Sequence, residues 1–579
     1  MKKVLIGMML AGVCVIGCRA KPVALRPAFS VPELPRLPVP IHLTLVATND
    51  LHGWVQPHVH VLKDGRRLEE GGAAAFAGYL SNLRQDNPGG VLLVDAGDLF
   101  QGTLIANLSE GAVVVDVYNA LGYQAAALGN HEFDYGPEGP VSVALTADQD
   151  PFGALKARIR QAHFPFLAVN IYEADTGARP TWLGNDGTLM VELKGVKIGI
   201  IGLITPSTPQ TTDAVNVSHL RFGSLLPEAI SASSRLRKAG AEVVVAVAHA
   251  GGKCEDLSDP DDLSSCDVKT SEIFQMMRGL PPDTLDAVVA GHTHMSLGHR
   301  VNGIPVVETS GQFRSFSVID LWVDGKTHAP ITQRTKIESA IPIRISEEGT
   351  KVFRGRPVDR DQAISRRVEA AEASVQTLQD RRLGLTVPRS LRRNYEAESG
   401  VGSLMMDSLR EMEEADVALM NPGSLRADIP AGELTYGKMY EVLPFDNRVA
   451  RLTLSGKDLK RLIQASYIAR KGVFQISGMQ IRLARCLGQG RLRKMTMADG
   501  TPVDPEKQYR VALSDFLARG GDGLGSVVSS LNPDKVDFGT TREGTMRDEM
   551  VAFWQHHHPV LESPSLGRIT FVDGQHQCH

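Results

Sequence analysis

The sequence predicts an α/β protein of two sizeable domains, and three observations carry that prediction. At 579 residues the chain exceeds what one ordinary hydrophobic core supports. Five continuous apolar runs, LTLVA, VLLV, AAAL, VVVAVA and AVVA, each stop at a short polar segment. Runs of this length without alternation suit strands buried on both faces, as in α/β sheets. From about 41 to 335 strand-like runs, including KIGIIGLI at 197–204 and FSVIDLWV at 316–323, alternate with helical patterns.

The polar segments that end the five runs share one chemistry. They are Thr48-Asn49-Asp50-Leu51-His52-Gly53, Asp95-Ala96-Gly97-Asp98, Gly129-Asn130-His131-Glu132-Phe133-Asp134, Ala248-His249-Ala250 and Gly291-His292-Thr293-His294. Residues at the carboxyl ends of parallel strands sit where open α/β sheets place their active sites. Asp, Asn and His offer hard oxygen and borderline nitrogen donors, with no thiolate among them. That mixture suits a pair of divalent ions, with Zn, Mn, Fe or Co not distinguished, rather than a structural zinc site. Singly, Asn130 or Asp98 beside a glycine reads as a turn former, and His249 as a satisfied buried histidine. Together they predict one dinuclear site assembled from five strand ends.

Composition and termini bound the rest. The formal net charge of −4 gives no electrostatic footprint for polymeric nucleic acid or an acidic membrane. Lys2-Lys3 precede an apolar stretch from Val4 to Ile16, a pattern of secretory signals too short for a comfortable membrane span. The stretch ends in Val15-Ile16-Gly17-Cys18, which resembles a bacterial lipobox with Cys18 lipidated after removal of residues 1–17; an ordinary signal with an incidental cysteine is the alternative. Arg19 after the cysteine favours an outer-membrane destination, facing the periplasm or the cell surface. Six prolines within 18–40 predict an extended tether. Export implies an oxidising compartment. Cys254 and Cys266 bracket a short Asp/Ser-rich loop and are expected to pair, which leaves Cys486 and Cys578 as a second couple by arithmetic alone. Residues 359–384 are charged with apolar residues at helical spacing, which fits a helix bridging two domains or an ordinary surface helix of the first.

In order and local wording, the five segments resemble those of the calcineurin-like metallophosphoesterases, and within them the bacterial periplasmic 5′-nucleotidase family, also called UDP-sugar hydrolases. The resemblance covers roughly 41 to 572. It implies a metallophosphoesterase domain over 41–335, built as a sandwich of two mixed sheets with helices outside. A linker and bridging helix would follow over 336–385, then a C-terminal α/β nucleotide-binding domain over 386–572. By the resemblance Asp98 bridges two metals, Asp50, His52 and His294 complete one set of protein ligands, and Asn130, His249 and His292 complete the other. Many relatives carry Gln where this chain has His294. His131 directly follows a ligand and Asp134 lies three residues on, so a carboxylate beside imidazole would favour the charged form and supply a proton to the leaving alkoxide. Glu132 between them reads as structural.

The same family's second-domain wording resembles three segments here. They are Asn421-Pro422-Gly423-Ser424-Leu425-Arg426, Leu443-Pro444-Phe445-Asp446-Asn447, and Asp515-Phe516-Leu517-Ala518-Arg519-Gly520-Gly521-Asp522-Gly523. The resemblance implies that Phe445 and Phe516 sandwich a base, Asp522 meets the ribose, Arg426 a phosphate, and Asn421 and Asn447 the base. Departures touch the phosphate subsite: relatives usually read Asn-Gly-Gly-Gly-Ile-Arg, Ala397 stands where many have arginine, and Ser403 stands where Asn is common. The implied protein is an exported, lipid-anchored, monomeric phosphohydrolase. It would release phosphate from small-molecule nucleotides as water activated between two metals attacks phosphorus in line. Alternatives on the same fold are 2′,3′-cyclic nucleotide phosphodiesterase, or UDP-sugar or NAD pyrophosphohydrolase. More distant relatives act on thiosulfonates, and a surface nucleotide-binding lipoprotein is the non-enzymatic rival.

Overall fold

The strands of the first half fall into two six-stranded mixed sheets, and five of their parallel strands end at the ligand segments. The computed structural model describes residues 39–61, 67–345, 351–468, 472–486, 489–540 and 544–572. The chain divides into Met1–Val39 and Pro40–His579, and every helix and strand of the described residues belongs to the second unit. Cys18, the signal and nearly all of the tether, and the Cys486–Cys578 pairing, lie outside the described residues.

One sheet has the order Lys336–Pro342, Ser315–Val323, Ile41–Thr48, Val91–Asp95, Ala125–Ala127, Phe166–Leu167; the other runs Leu297–Val301, Ile304–Glu308, Ala287–Ala290, Val243–His249, Val196–Ile204, Thr188–Leu193. Ile41–Thr48, Val91–Asp95 and Ala125–Ala127 are mutually parallel neighbours, and Val243–His249 pairs parallel with Ala287–Ala290. The reason for the continuous apolar runs is visible in the packing. Leu43, Leu45 and Ala47 face the second sheet through a shared core with Val245, Val247 and Val289, while Val46 faces helices outside. Both faces of each sheet are therefore covered, and the layers stack helix, sheet, sheet, helix.

The helix Gln362–Gln379 begins at Asp361, whose carboxylate accepts from Ala363 N and Ile364 N, which supplies partners for the helix's first amides. It buries Ile364, Val368 and Val375. Its neighbours are Ala73–Asp86 and Ala112–Leu121 of the first domain and Tyr436–Val442 of the second. One apolar cluster accordingly runs from Phe76 and Val115 through Val368 to Leu404 and Met550.

The second domain places a five-stranded sheet, Gln475–Ser477, Val417–Met420, Gln508–Ser514, Val449–Ser455, Val536–Asp537, beside a three-stranded one, Gln489–Met497, Met479–Cys486, Ile569–Val572. Val417–Met420 and Gln508–Ser514 are parallel, so the loops from Asn421 and from Asp515 leave the same edge. Val449 pairs with Ser514 in an antiparallel register, which brings the Phe445–Asn447 loop to that edge as well. Three segments far apart in sequence thus converge because of strand order.

Candidate dinuclear metal centre and nucleotide cavity

The five strand-end loops converge on two groups of ligand atoms. Asp50, His52 and His294 form one, and Asp98, His249 and His292 form the other, the donor atoms in each lying within 4.8 Å of one another. Asp98 stands between them, its Oδ2 3.1 Å from His249 Nε2 and 3.8 Å from His52 Nε2. Asn130 joins the second group with Oδ1 3.1 Å from His249 Nε2. Asp50, Asp98, His249 and Asn130 are almost fully buried.

Backbone geometry shows what the loops are built for. Asp50, His52, Asp98, His292 and His294 all have φ between 50° and 79°. The left-handed region costs a non-glycine residue on the order of 1 kcal/mol or more, and such strain persists where the surroundings dictate a side-chain direction. The loops also approach closely: a Cβ on Gly129 would lie 2.2 Å from Asp98 Oδ1. Glu132, read from sequence as structural, fastens this approach. Its buried carboxylate accepts from Asp98 N at 2.9 Å, Leu99 N at 2.6 Å and Gly129 N at 2.6 Å. Asn49 donates to Asp50 Oδ2 at 2.7 Å and exchanges hydrogen bonds with the backbone of Thr309, fixing that carboxylate in turn.

The histidine tautomers supply the test of whether cations fit. His52 Nδ1 lies 2.7 Å from the Gln101 carbonyl and His249 Nδ1 lies 2.8 Å from the Ala96 carbonyl, so both rings carry their proton on Nδ1. Their Nε2 lone pairs then face inward. His52 Nε2 meets His294 Nε2 at 3.0 Å, and His249 Nε2 meets Asn130 Oδ1, His292 Nδ1 and Asp98 Oδ2 at 3.1–3.2 Å. Asn130 Oδ1 and Asp98 Oδ2 are acceptors, as is the Nε2 of a neutral His249, and a cation among the three would satisfy them all. Backbone carbonyls that set the tautomer are the usual outer support of metal-bound histidine. The donor set fits two divalent ions.

Asn130 Nδ2 donates to Thr211 O at 3.2 Å, which aims its oxygen at the ligand group. The next residue, His131, donates its backbone N–H to Asp98 Oδ1 at 2.9 Å. Its Nδ1 lies 2.6 Å from Asp134 Oδ2, and the Thr212 hydroxyl donates to Asp134 Oδ1 at 2.7 Å. Burial disfavours the charged imidazole, but the Asp134 and Asp98 carboxylates outweigh it and raise the His131 pKa above the ordinary histidine value. Both carboxylates therefore favour the charged imidazole, the form in which the remaining ring nitrogen carries a proton.

One cavity of about 1210 Å³ opens over this centre. Asp98, Asn130, His131, Asp134, His292 and His294 line it from the first domain, and Asn421, Arg426, Phe445, Asn447, Phe516 and Asp522 line it from the second. Asp50, His52 and His249 lie behind, in the buried floor. Arg426 Nη2 is 3.5 and 3.4 Å from the two ring nitrogens of His52. Near-equal distances place it over the imidazole face, since Nδ1 already donates elsewhere. The guanidinium also lies 5.5 Å from the Phe445 ring centroid, and Phe445 is 5.8 Å from the His131 ring. Phe445 therefore sits beside His131. Both phenylalanines line the cavity.

Other lining residues carry no sequence signal that marks them in advance. Gln101 Nε2 and Asn107 Nδ2 both donate to the Pro444 carbonyl, at 3.3 and 3.1 Å, tying the first domain to the loop that presents Phe445. Arg393 faces the cavity and donates to Arg426 O at 3.0 Å, while Arg392 turns outward to Asp428. A guanidinium therefore reaches the cavity from Arg393 although Ala397 carries none. Of the altered loop residues, Ser424 donates to Asn421 Oδ1 at 2.5 Å and Leu425 is buried. Beside the site, Cys254 and Cys266 are joined in a disulfide.

Two family models cover most of this architecture: the calcineurin-like phosphoesterase model matches residues 43–296, and the 5′-nucleotidase C-terminal domain model matches 374–529. The chain belongs to the 5′-nucleotidase family of calcineurin-like phosphoesterases. Human 5′-nucleotidase is 25% identical over 93% of this chain and 92% of its own length. Endonuclease YhcR of Bacillus subtilis is 24% identical over 83% of this chain, which spans only 37% of that protein. Among solved structures, a 5′-nucleotidase precursor from Thermus thermophilus matches with a TM-score of 0.73 and 24% identity, covering 92% of this chain and 100% of that one. The fold it shares is that of the 5′-nucleotidase family. The family uses divalent metals, in keeping with the fit of the donor set here.

Proposed function

We propose that this member of the 5′-nucleotidase family hydrolyses the phosphoester of small-molecule nucleotides. The observation that carries the reading is one cavity in which a dinuclear ligand set and a proton donor face two phenylalanines from another domain. Two divalent ions held by Asp50, His52, His294, Asn130, His249, His292 and the shared Asp98 would supply Lewis-acid activation of water and of the phosphoryl group. Arg426, over His52, offers a guanidinium to phosphoryl oxygens, and burial strengthens that interaction. His131, held by Asp134, delivers its proton to the departing alkoxide. Phe445 and Phe516 would hold the base by stacking, which tolerates base identity and contributes roughly 1–3 kcal/mol per base. Asp522 would receive the ribose hydroxyls, with Asn421 and Asn447 toward the base. Family kinship to human 5′-nucleotidase supports the same substrate class.

A second reading has one observation in its favour. A cavity of about 1210 Å³ exceeds the usual range of small-ligand sites, which leaves room for a nucleotide sugar or dinucleotide. The deciding experiment is a phosphate-release panel on purified protein loaded with Mn, Zn or Co. It would include nucleoside monophosphates, 2′,3′-cyclic nucleotides, UDP-sugars and NAD, with p-nitrophenyl phosphate as the small control ester. Release from none of them by protein carrying two ions sinks the enzymatic reading and leaves a nucleotide-binding protein.

Export, anchoring through Cys18 and a monomeric state belong to the same proposal and rest on the sequence. Among the described residues no helix is long and apolar enough to cross a membrane. Retention of a Cys18→Ser protein in the membrane fraction would remove the anchor.

A further inference from the structure

Three consecutive residues, Thr211, Thr212 and Asp213, each hold a different part of the machinery. Thr211 O accepts from the Asn130 amide at 3.2 Å, and the buried Thr212 hydroxyl donates to Asp134 Oδ1 at 2.7 Å. Asp213 Oδ2 lies 3.8 Å from Arg519 Nε, with both side chains about nine-tenths withdrawn from solvent at 13% and 14% exposure. Arg519 closes the helical turn that starts at Asp515-Phe516, and it packs over Phe538 at 4.7 Å. The short helix Thr208–Thr211 also packs on the turn Gly521–Gly523 that carries Asp522. Arg519 Nε is buried with no hydrogen-bond partner among the described residues. A donor in that state gains from moving toward a carboxylate.

We propose that residues 211–213 form a positioning strap that aligns Asn130 and the His131–Asp134 pair when the Phe516–Asp522 segment is docked. The proposal rests on the functional reading above. Its physical basis is the shortness of a three-residue span. Consecutive Cα atoms are ~3.8 Å apart across trans peptides, so a shift of Asp213 toward Arg519 is felt at Thr212 and Thr211. Thr212 occupies the Asp134 oxygen that His131 does not use, so the carboxylate is held at both ends. With that hydroxyl removed, Asp134 can rotate and His131 loses its aim at the leaving oxygen. The second domain would thus position the acid as well as bind the base. Such alignment raises kcat rather than lowering KM, because it acts on a group used in the transition state.

The test compares Thr212→Val with Thr212→Ser on an alkyl phosphate (a nucleoside monophosphate, or glycerol phosphate) and on p-nitrophenyl phosphate, with metal content measured in each protein. The expected result is a ten- to hundredfold loss of kcat for Thr212→Val on the alkyl ester, with KM and metal content near wild type. The loss should be smaller on the aryl ester, whose leaving group departs without a proton, and Thr212→Ser should recover most of the activity. Equal impairment of both variants, or equal loss on both esters, overturns the strap and assigns Thr212 to the fold. A second measurement needs no turnover: thermal melts of Asp213→Ala, Arg519→Ala and the double variant at matched metal content. Tm losses in the double no larger than in either single variant support the contact, and additive losses overturn it. A wild-type protein inactive on nucleotides but active on glycerol phosphate would sink the nucleotide reading and still test the strap.

Discussion

Arg547 grips the loop that presents Phe445, and replacing it by Met should loosen that loop without touching the metals. The guanidinium is almost fully buried and donates to Leu443 O at 3.0 Å and Asp446 Oδ1 at 2.9 Å, one on each side of Pro444-Phe445. It also lies 4.2 Å from the Tyr440 ring, and Met546 N donates to Asn447 O at 2.7 Å from the same helix start. Burial works against its charge, and Tyr440 and Asp446 more than restore it, so the group stays cationic. In Arg547→Met the buried Leu443 carbonyl loses this donor, at a cost of about 1–3 kcal/mol. The lost cation–π contact adds about 1–2 kcal/mol. Asp446 is half-exposed and regains water, so its share is near zero. A net loosening of about 2–5 kcal/mol, taking half of it to be restored on binding, converts to a KM for nucleotides raised roughly 5- to 60-fold, at about 1.4 kcal/mol per decade. Steady-state kinetics on a nucleotide and on p-nitrophenyl phosphate, with urea denaturation, measures both parts. Arg547→Lys, which keeps a charge but not the fork, should lie between. Equal losses on the two esters, or an unchanged nucleotide KM in a destabilised protein, would refute the clamp.

Three shorter predictions test other parts of the site. Asp98→Asn should lower metal content and abolish turnover, since both ligand groups lose their shared anion; two ions retained at full activity, by elemental analysis, would contradict that. His131→Ala should retain its metals and lose roughly 10²–10⁴ in kcat on an alkyl ester, an assignment that unchanged turnover would remove. Asp515 gives a pH prediction. Burial, then the nearby Asp213, raises its pKa to about 6, against the attraction of Arg519. Between the unfolded value near 4 and about 6, the folded state binds the extra proton, so stability falls as pH rises through that window and stays lower above it. Asp515→Asn keeps an oxygen for Arg448 N and Phe516 N and should gain up to about 3 kcal/mol on wild type between pH 4 and pH 7. Parallel urea-unfolding curves for the two proteins across that range would exclude this origin.

How much of this was legible in the sequence follows from distance along the chain. Each ligand is encoded locally: an apolar run fixes a strand, the strand's end fixes a loop, and the ligand lies within a few residues of that end. Asp50, Asp98, Asn130, His249 and His292 could therefore be named from wording alone, and the structure brings them together. The bridging helix was half legible, since its spacing predicts a helix that buries Val368 and Val375, but only packing shows that the helix has neighbours on both sides. Phe445 and Phe516 were legible through the resemblance, whereas Phe445's place beside His131 depends on how the domains meet.

What escaped the sequence is the set of residues that act at second remove. Gln101 lends a backbone carbonyl to His52 and a side-chain amide to Pro444, and backbone contacts leave no trace in residue type. Thr212 and Arg547 are common residues whose roles arise only when a partner about 80 or 100 positions away arrives. Glu132, read from the sequence as structural, is structural, but the sequence does not show what it holds. Three buried amide contacts make it the tie between the Asp98 and Asn130 loops, so scaffold and site are here the same object. A metal site with left-handed ligand loops holds its geometry only while such ties hold. For this fold, ligand identity is written in the strand ends, whereas ligand direction is written in contacts made across the chain.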